Sequence, residues 1–288
     1  MNQNMNAWIK ILVFFPLWIF CCGLFFIPIF IVYPEAFSGS KAEYEFLMSS
    51  NYLFMILCNL AILLGTFSTI FFITSLIEKQ KILYLKSAFQ IRGILYGILV
   101  GAVLIVSGIL ILSLSTGIKI AFEGINIGIL YYFILFLLVA VSEELMSRGF
   151  FLNTLLSKIN KPLAIIISSI IFAFMHIFNS SVSAIGLINI FLIGVLFSLL
   201  YLRRMSLAIP IGLHLSWNFL QGPVFGFSVS GLGTESIFKI TSKSGSDFSF
   251  QGFGLEGSLI ITIVIVFAIL YFYLTNKRYM NGATLELT

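Results

Sequence analysis

Charge is scarce in this sequence. Only 9% of its 288 residues are Asp, Glu, Lys or Arg, where a soluble domain carries about 25%. So few charges cannot cover a water-facing surface, and a soluble globular protein is thereby excluded. Histidine is rarer still, with two in the chain, and cysteine stops at three. Cys21, Cys22 and Cys58 all fall in apolar runs. Their spacing matches neither a disulfide framework nor a zinc knuckle, so they read as small buried hydrophobes. No basic cluster is dense enough for nucleic acid, and the net charge of +5 reports loop bias instead. Internal repeats are missing as well.

What the sequence does have is long apolar runs. A stretch of about 18 or more apolar residues reads as a membrane-spanning helix, because about 20 residues at 1.5 Å each cross the hydrocarbon core. The expected segments run from about Trp8 to Val32, Tyr52 to Leu76, Ile91 to Leu114, Ile125 to Ser157, Pro162 to Phe178, Ile185 to Leu202, Leu207 to Phe219 and Ser258 to Leu274. The first is too long for a signal-peptide core and reads as a retained helix. Pro162 suits a first helical turn, where its missing N–H has no partner to lose. Gly226 to Gly257 is rich in Gly and Ser and reads as an extramembrane loop. The fold class expected is all-α, a polytopic membrane bundle of about eight helices. Residues 1–124 form a three-helix N-terminal segment, 125–224 a catalytic core, and 225–288 a loop with the final helix.

Loop charges support that count. Positive residues accumulate on the cytoplasmic side. Glu35, Lys41, Glu43 and Glu45 make the first loop non-basic, and Lys79, Lys81, Lys86 and Arg92 make the second basic. Lys119 and Glu123 cancel in the third, Lys158 and Lys161 mark the fourth, and the fifth carries no charge. Arg203 and Arg204 fill the sixth, Glu235, Lys239, Lys243, Asp247 and Glu256 mix in the seventh, and Lys277 and Arg278 follow the last helix. Basic and non-basic loops alternate throughout, so both termini are expected in the cytoplasm. The Ile-, Phe- and Lys-rich composition fits an AT-rich genome and a bacterial plasma membrane.

Against this background a few ionisable residues stand at membrane depth, where a charge costs about 2.5–3.5 kcal/mol on insertion scales. Glu143, Glu144 and Arg148 share one helix, His176 lies in the next, and His214 and Asn218 lie in the seventh. A structural pairing of Glu144 with Arg148 at i,i+4 accounts for two charges and leaves Glu143 and both histidines unexplained. Counting from the cytoplasmic edge puts Glu143 and His176 both about 21–22 Å deep, and His214 only about 12 Å. Glu143 and His176 are therefore expected face to face on adjacent helices, and His214 needs tilt or a funnel-shaped cavity to join them. A carboxylate beside an imidazole in a dry cavity suits activation of water, with or without a metal. Histidine and asparagine on another helix can donate to a developing oxyanion. Together these roles describe amide hydrolysis.

The same residues carry a family resemblance. Glu143-Glu144-Leu-Met-Ser-Arg148 resembles the Glu-Glu-x-x-x-Arg motif of the CAAX-protease and bacteriocin-processing (Abi) family. Phe172-Ala-Phe-Met-His176 resembles its Phe-x-x-x-His motif, and His214-Leu-Ser-Trp-Asn218 its His-x-x-x-Asn motif. Order and spacing match over about Leu130 to Phe219. The resemblance implies an intramembrane endopeptidase whose site opens toward the cytoplasm. It implies that Glu143 and His176 activate water, that Glu144 and Arg148 hold the site, and that His214 and Asn218 form the oxyanion hole. Family members are described both as metalloproteases and as glutamate-type enzymes. A divalent metal such as zinc on Glu143, His176 and His214 is therefore one expectation, and no cofactor is the other. The residues do not form the compact His-Glu-x-x-His arrangement.

By the same resemblance the partners are the lipid bilayer and a protein or peptide substrate, either a prenylated protein or a bacteriocin or pheromone precursor. Nucleic acid is not among them. Two other readings of the intramembrane charges stand beside the protease. One is an ion-coupled transporter, which predicts repeats and broken helices. The other is a non-catalytic immunity or scaffold protein. Trp217 is a further candidate to line the cavity, Asn179 to hydrogen-bond near the site, Asn189 faces the cavity or another helix, and Trp18 is expected to pack.

Overall fold

The computed structural model describes residues 5–79, 81–82, 85–241 and 252–275. Lys243, Asp247, Lys277 and Arg278 of the charge pattern lie outside them. Helix α1 spans Ala7–Val32, α2 Lys41–Ser50, and α3 Tyr52–Phe71, which runs on through a π-helical turn to Ile77. The short α4 (Leu85–Ala88) leads into α5 (Ile91–Thr116). Helix α6 (Gly128–Glu144) passes through a π-helical stretch, Leu145–Leu152, into α7 (Asn153–Leu156). Then come α8 (Lys161–Phe174), α9 (Ala184–Arg204), α10 (Ala208–Phe219) and α11 (Leu259–Thr275).

Five of these segments are long and apolar enough to cross a membrane: Ala7–Val32, Tyr52–Ile77, Ile91–Thr116, Gly128–Leu156 and Ala184–Arg204. Their ends fall within about three residues of the expected ones, the usual scatter of helix termini. Leu12, Leu99 and Leu114 are 71, 61 and 81% exposed. Water would not tolerate such a surface on a monomer, whereas lipid does. The chain is a multi-pass membrane protein, mostly helical. At 14, 12 and 17 residues, α8, α10 and α11 are about 21, 18 and 26 Å long, short of a hydrocarbon core of about 30 Å.

Two departures from the expected elements have local causes. The fifth helix stops at Phe174 instead of reaching Phe178. His176 N–H bonds Ala173 O at 3.0 Å, three residues back, and its ring Nδ1 takes Phe172 O at 2.8 Å. The carbonyl that would continue the α-helix is thus used by the imidazole, and the polar run Asn179–Ser183 follows as a turn. Nor is the loop before the last helix purely extramembrane filler. Strand β2 (Phe238–Thr241) pairs antiparallel with β1 (Lys119–Phe122) in a small two-stranded sheet, and Val229 bridges Leu232 and Gly254.

The connections gather at two ends. At one end, Lys10 pairs with Glu78, Arg203 Nη1 donates to Tyr96 Oη at 3.2 Å, and Asn153 Nδ2 donates to Tyr201 Oη at 2.7 Å. This is the end where α1 begins. At the other, the β1–β2 ladder joins the α5–α6 connection to the long loop. Tyr52 Oη bonds Glu235, and Asn179 Nδ2 donates to Ser230 O at 2.9 Å. Between the ends, α10 lies against α5 with its backbone nearly touching. A Cβ on Gly212 would sit 2.1 Å from Ile94 O, and one on Gly97 2.1 Å from Ile209 O. Only glycine permits this approach, and it fixes the height of α10 in the bundle.

Candidate active site

A cavity of about 480 Å³ enters the bundle from the second end. Its deep wall is built by Glu143, Phe172, Phe197 and His214; its mouth by Tyr44, Ser180, Ser230 and Leu232. Every motif side chain meets at or behind the deep wall. His176 Nε2 stands 3.8 Å from Glu143 Oε2, and His214 Nε2 stands 4.0 Å from the same oxygen. That oxygen is buried and has no hydrogen-bond partner, although the Glu143 side chain is 24% exposed to the cavity. Buried carboxylate oxygens are almost always bonded, so this one is an acceptor left without a partner. Asn218 lines the same cavity, one turn beyond His214 on α10.

Behind this layer lies a second, drier one. Arg148 Nη1 donates to Glu144 Oε1 at 2.8 Å, and Nη2 donates to Gly194 O at 3.0 Å. Both side chains are at most 1% exposed. The guanidinium lies 4.5 Å from the centroid of the Phe172 ring and 5.0 Å from that of Phe197, a favourable cation–π arrangement. Arg148 lies in the π-helical stretch. All eight residues from Leu145 to Leu152 are buried, so this stretch is surrounded by the bundle on every side; π-turns recur at functional sites. The phenylalanine of the Phe-x-x-x-His motif therefore serves Arg148 through its ring and His176 through its carbonyl.

Both histidine tautomers follow from their partners. A carbonyl can only accept, so His176 carries its proton on Nδ1 and turns a lone pair at Nε2 toward Glu143. His214 Nδ1 lies 3.1 Å from Glu144 Oε1 and donates to that carboxylate. The i,i+4 pair of Glu144 with Arg148 thus has a second task, orienting His214. Counting residues had left His214 too shallow. It reaches Glu143 because α10 begins within the bundle, with Ala208 to Asn218 buried, and the glycine contacts hold it at that height.

The expected metal set is not gathered. Ligand atoms at 2.0–2.1 Å from a tetrahedral zinc lie about 3.3–3.4 Å apart, and the two separations from Glu143 exceed that. Among the described residues, no group of three His, Cys, Asp or Glu side chains is placed to hold a metal ion.

Several neighbours were not legible in the sequence. Glu256, in a 3-10 turn before α11, is 1% exposed and lines the cavity. Its carboxyl bonds Gln221 Nε2, and Trp217 Nε1 donates to it at 3.4 Å. No cation faces it among the described residues, and burial pushes it up to about 7 despite these donors and a backbone N–H from Ser230. Trp217 therefore lines the cavity and ties it to the loop. Asn189 faces the loop and α11 rather than the reacting groups: its Nδ2 donates to Glu256 O and Ser258 O, and its Oδ1 accepts from Thr262. Asn179 binds the mouth through Ser230. Trp18 packs as expected and also donates to Thr66 Oγ1 at 2.9 Å. Nothing in the periodicity distinguishes Glu256 from any loop acid.

A cleft of Glu, His and Asn held inside a helical membrane bundle is an arrangement able to activate water. Residues 125–220 match the family model described as type II CAAX prenyl endopeptidase Rce1-like. That segment contains all three motifs, and over it the chain is similar to the CAAX-protease family. The family's description names an endopeptidase, an enzyme that cuts within a peptide chain. No match was found among curated proteins or among solved structures.

Proposed function

We propose that this chain is an intramembrane endopeptidase, hydrolysing a peptide bond of a membrane-associated protein or peptide by water activated between Glu143 and His176. The observation that carries the reading is the unpartnered Glu143 Oε2 facing two imidazole Nε2 atoms at 3.8 and 4.0 Å. A water at hydrogen-bond distance, about 2.8 Å, from Oε2 and either nitrogen subtends an angle of about 90° at its oxygen, so one water bridges each gap. Glu143 takes a proton from that water as its oxygen attacks the scissile carbonyl, and later returns the proton to the leaving amine. His176 accepts the second hydrogen and orients the attack. Asn218 donates to the developing oxyanion. His214, its ring fixed by the Nδ1 contact with Glu144, stands beside Asn218 on the same helix. Glu144 and Arg148 position these groups without touching substrate. The separations support a glutamate-type reaction with no step through a metal.

In this reading eight segments cross the membrane, with α8, α10 and α11 completing the five long spans, and both termini lie in the cytoplasm of a bacterial cell. Residues 125–224 are the catalytic core, 1–124 supply flanking helices, and 225–288 supply the cap loop and last helix. The test is purified protein in liposomes with candidate membrane peptides. Glu143→Gln should lower cleavage by about 10²–10⁴-fold with an unchanged melting midpoint, because Oε2 gives up no hydrogen bond. Cleavage at the wild-type rate in that variant would refute the assignment and leave a binding role.

A further inference from the structure

The cavity mouth and the basic loops are at opposite ends of the bundle. Lys10, Lys79, Lys81, Arg92, Lys158, Lys161, Arg203 and Arg204 all lie where α1 begins or where helices turn at that end, against the acid Glu78 among the described residues. At the other end stand Glu35, Glu43, Glu123, Glu235 and Glu256, with Lys119 and Lys239. The two ends are separately tied together, so the assignment does not rest on counting helices: Lys10 holds Glu78 at one, and β1, β2, Tyr52 and Asn179 are interlinked at the other. Every mouth residue of the cavity comes from the second end, in α2, the 175–183 turn and the 229–232 loop. A site open toward the cytoplasm and termini in the cytoplasm are therefore incompatible in this fold, and one of the two expectations must give way.

Charge decides which. Short loops rich in Lys and Arg stay on the cytoplasmic side, while acids contribute little. We infer that the cavity opens to the extracytoplasmic side, and that the substrate is an apolar peptide segment presented there, either exported or anchored in the outer leaflet. The substrate part of the inference rests on the protease reading; the orientation does not. The cavity chemistry narrows the segment further. Its wall is largely apolar, with Leu135, Phe136, Ile190 and Ile193, and it contains the carboxyls Glu143 and Glu256. No Lys or Arg lines it among the described residues. An acidic side chain near the scissile bond would be buried without a partner, at a cost of several kcal/mol, so neutral or basic residues are selected. A protein anchored on the cytosolic face does not meet the first condition.

The experiment labels single cysteines with a membrane-impermeant maleimide in intact cells, in a chain whose Cys21, Cys22 and Cys58 are changed to alanine. Ser180→Cys lies at the mouth and Ser157→Cys at the opposite end, both at exposed positions. The expected result is at least about ten-fold stronger labelling of S180C, with S157C labelled only after permeabilisation. The reverse pattern, or labelling of S157C in intact cells, overturns the inference. If the alanine background does not accumulate, a C-terminal reporter on the wild-type chain replaces it: activity restricted to a cytoplasm-dependent reporter agrees, and activity of an export-dependent one overturns. A second arm adds neutral and acid-substituted apolar peptides outside right-side-out vesicles. Cleavage of the neutral peptide that Glu143→Gln abolishes is expected, and preference for the acidic one would refute the selectivity. Correct labelling with no cleavage of any peptide would sink the protease reading while leaving the orientation in place.

Discussion

Replacing Arg148 by alanine would expose how much of this site is electrostatic architecture. Arg148 and Glu144 are at most 1% exposed, so the substitution leaves a carboxylate with its guanidinium partner gone and no water to replace it. Truncating one member of a buried pair costs about 3–5 kcal/mol, and loss of the stacking on Phe172 and Phe197 adds about 1 kcal/mol. The Gly194 carbonyl is not orphaned, because Ser198 Oγ also donates to it at 2.8 Å. At roughly 2 °C for each kcal/mol in a chain of this size, the melting midpoint in detergent should fall by about 10 °C. The comparison that isolates the cause is Glu144→Gln with Arg148→Met, which removes both charges and keeps most of the volume. Buried pairs replaced together are often nearly neutral in stability, so the double variant should recover at least half of the loss. It should stay inactive, since His214 loses the carboxylate that orients it. A midpoint within 2 °C of wild type for Arg148→Ala, or a double variant no more stable than the single, would refute the reasoning.

Two further outcomes follow from the packing and the cap. Gly212→Ala places a methyl against Ile94 O, which must force α10 away from α5; overpacking costs about 1–3 kcal/mol, and a shift near 1 Å at His214 should lower cleavage about 100-fold, read together as melting midpoint and kcat. Glu256 holds its proton in the fold up to about pH 7 but releases it near 4.5 once unfolded, so the folded state binds more protons between those values and stability falls as pH rises through that window. Most of that difference, about 2.5 kcal/mol, should be lost between pH 5 and pH 8 and lower the wild-type midpoint, and Glu256→Gln should flatten the dependence; an equal pH response in both would show that the carboxyl is not buried as described.

The sequence by itself determined the long helices, because an apolar run of about 20 residues has one stable solution in lipid whatever surrounds it. It also placed Glu143 opposite His176, since two antiparallel helices joined by the short turn around Lys158 and Lys161 share a depth scale that residue counting can follow. It determined the charge alternation, which needs no coordinates. The tertiary structure alone decided the rest. Depth counting put His214 too shallow because it assumed that the seventh helix starts at the membrane surface, whereas Gly97 and Gly212 let α10 sink against α5. No periodicity announces that Leu145–Leu152 turns as a π-helix, that one oxygen of Glu144 serves both Arg148 and His214, or that Glu256 folds back from a Gly-rich loop into the cavity. The mouth is the clearest case. The motifs name the reacting groups but not the end of the bundle from which water and substrate reach them. That end was settled by where the loops fold, through the β1–β2 ladder and the Asn179–Ser230 bond, contacts between residues far apart in the chain.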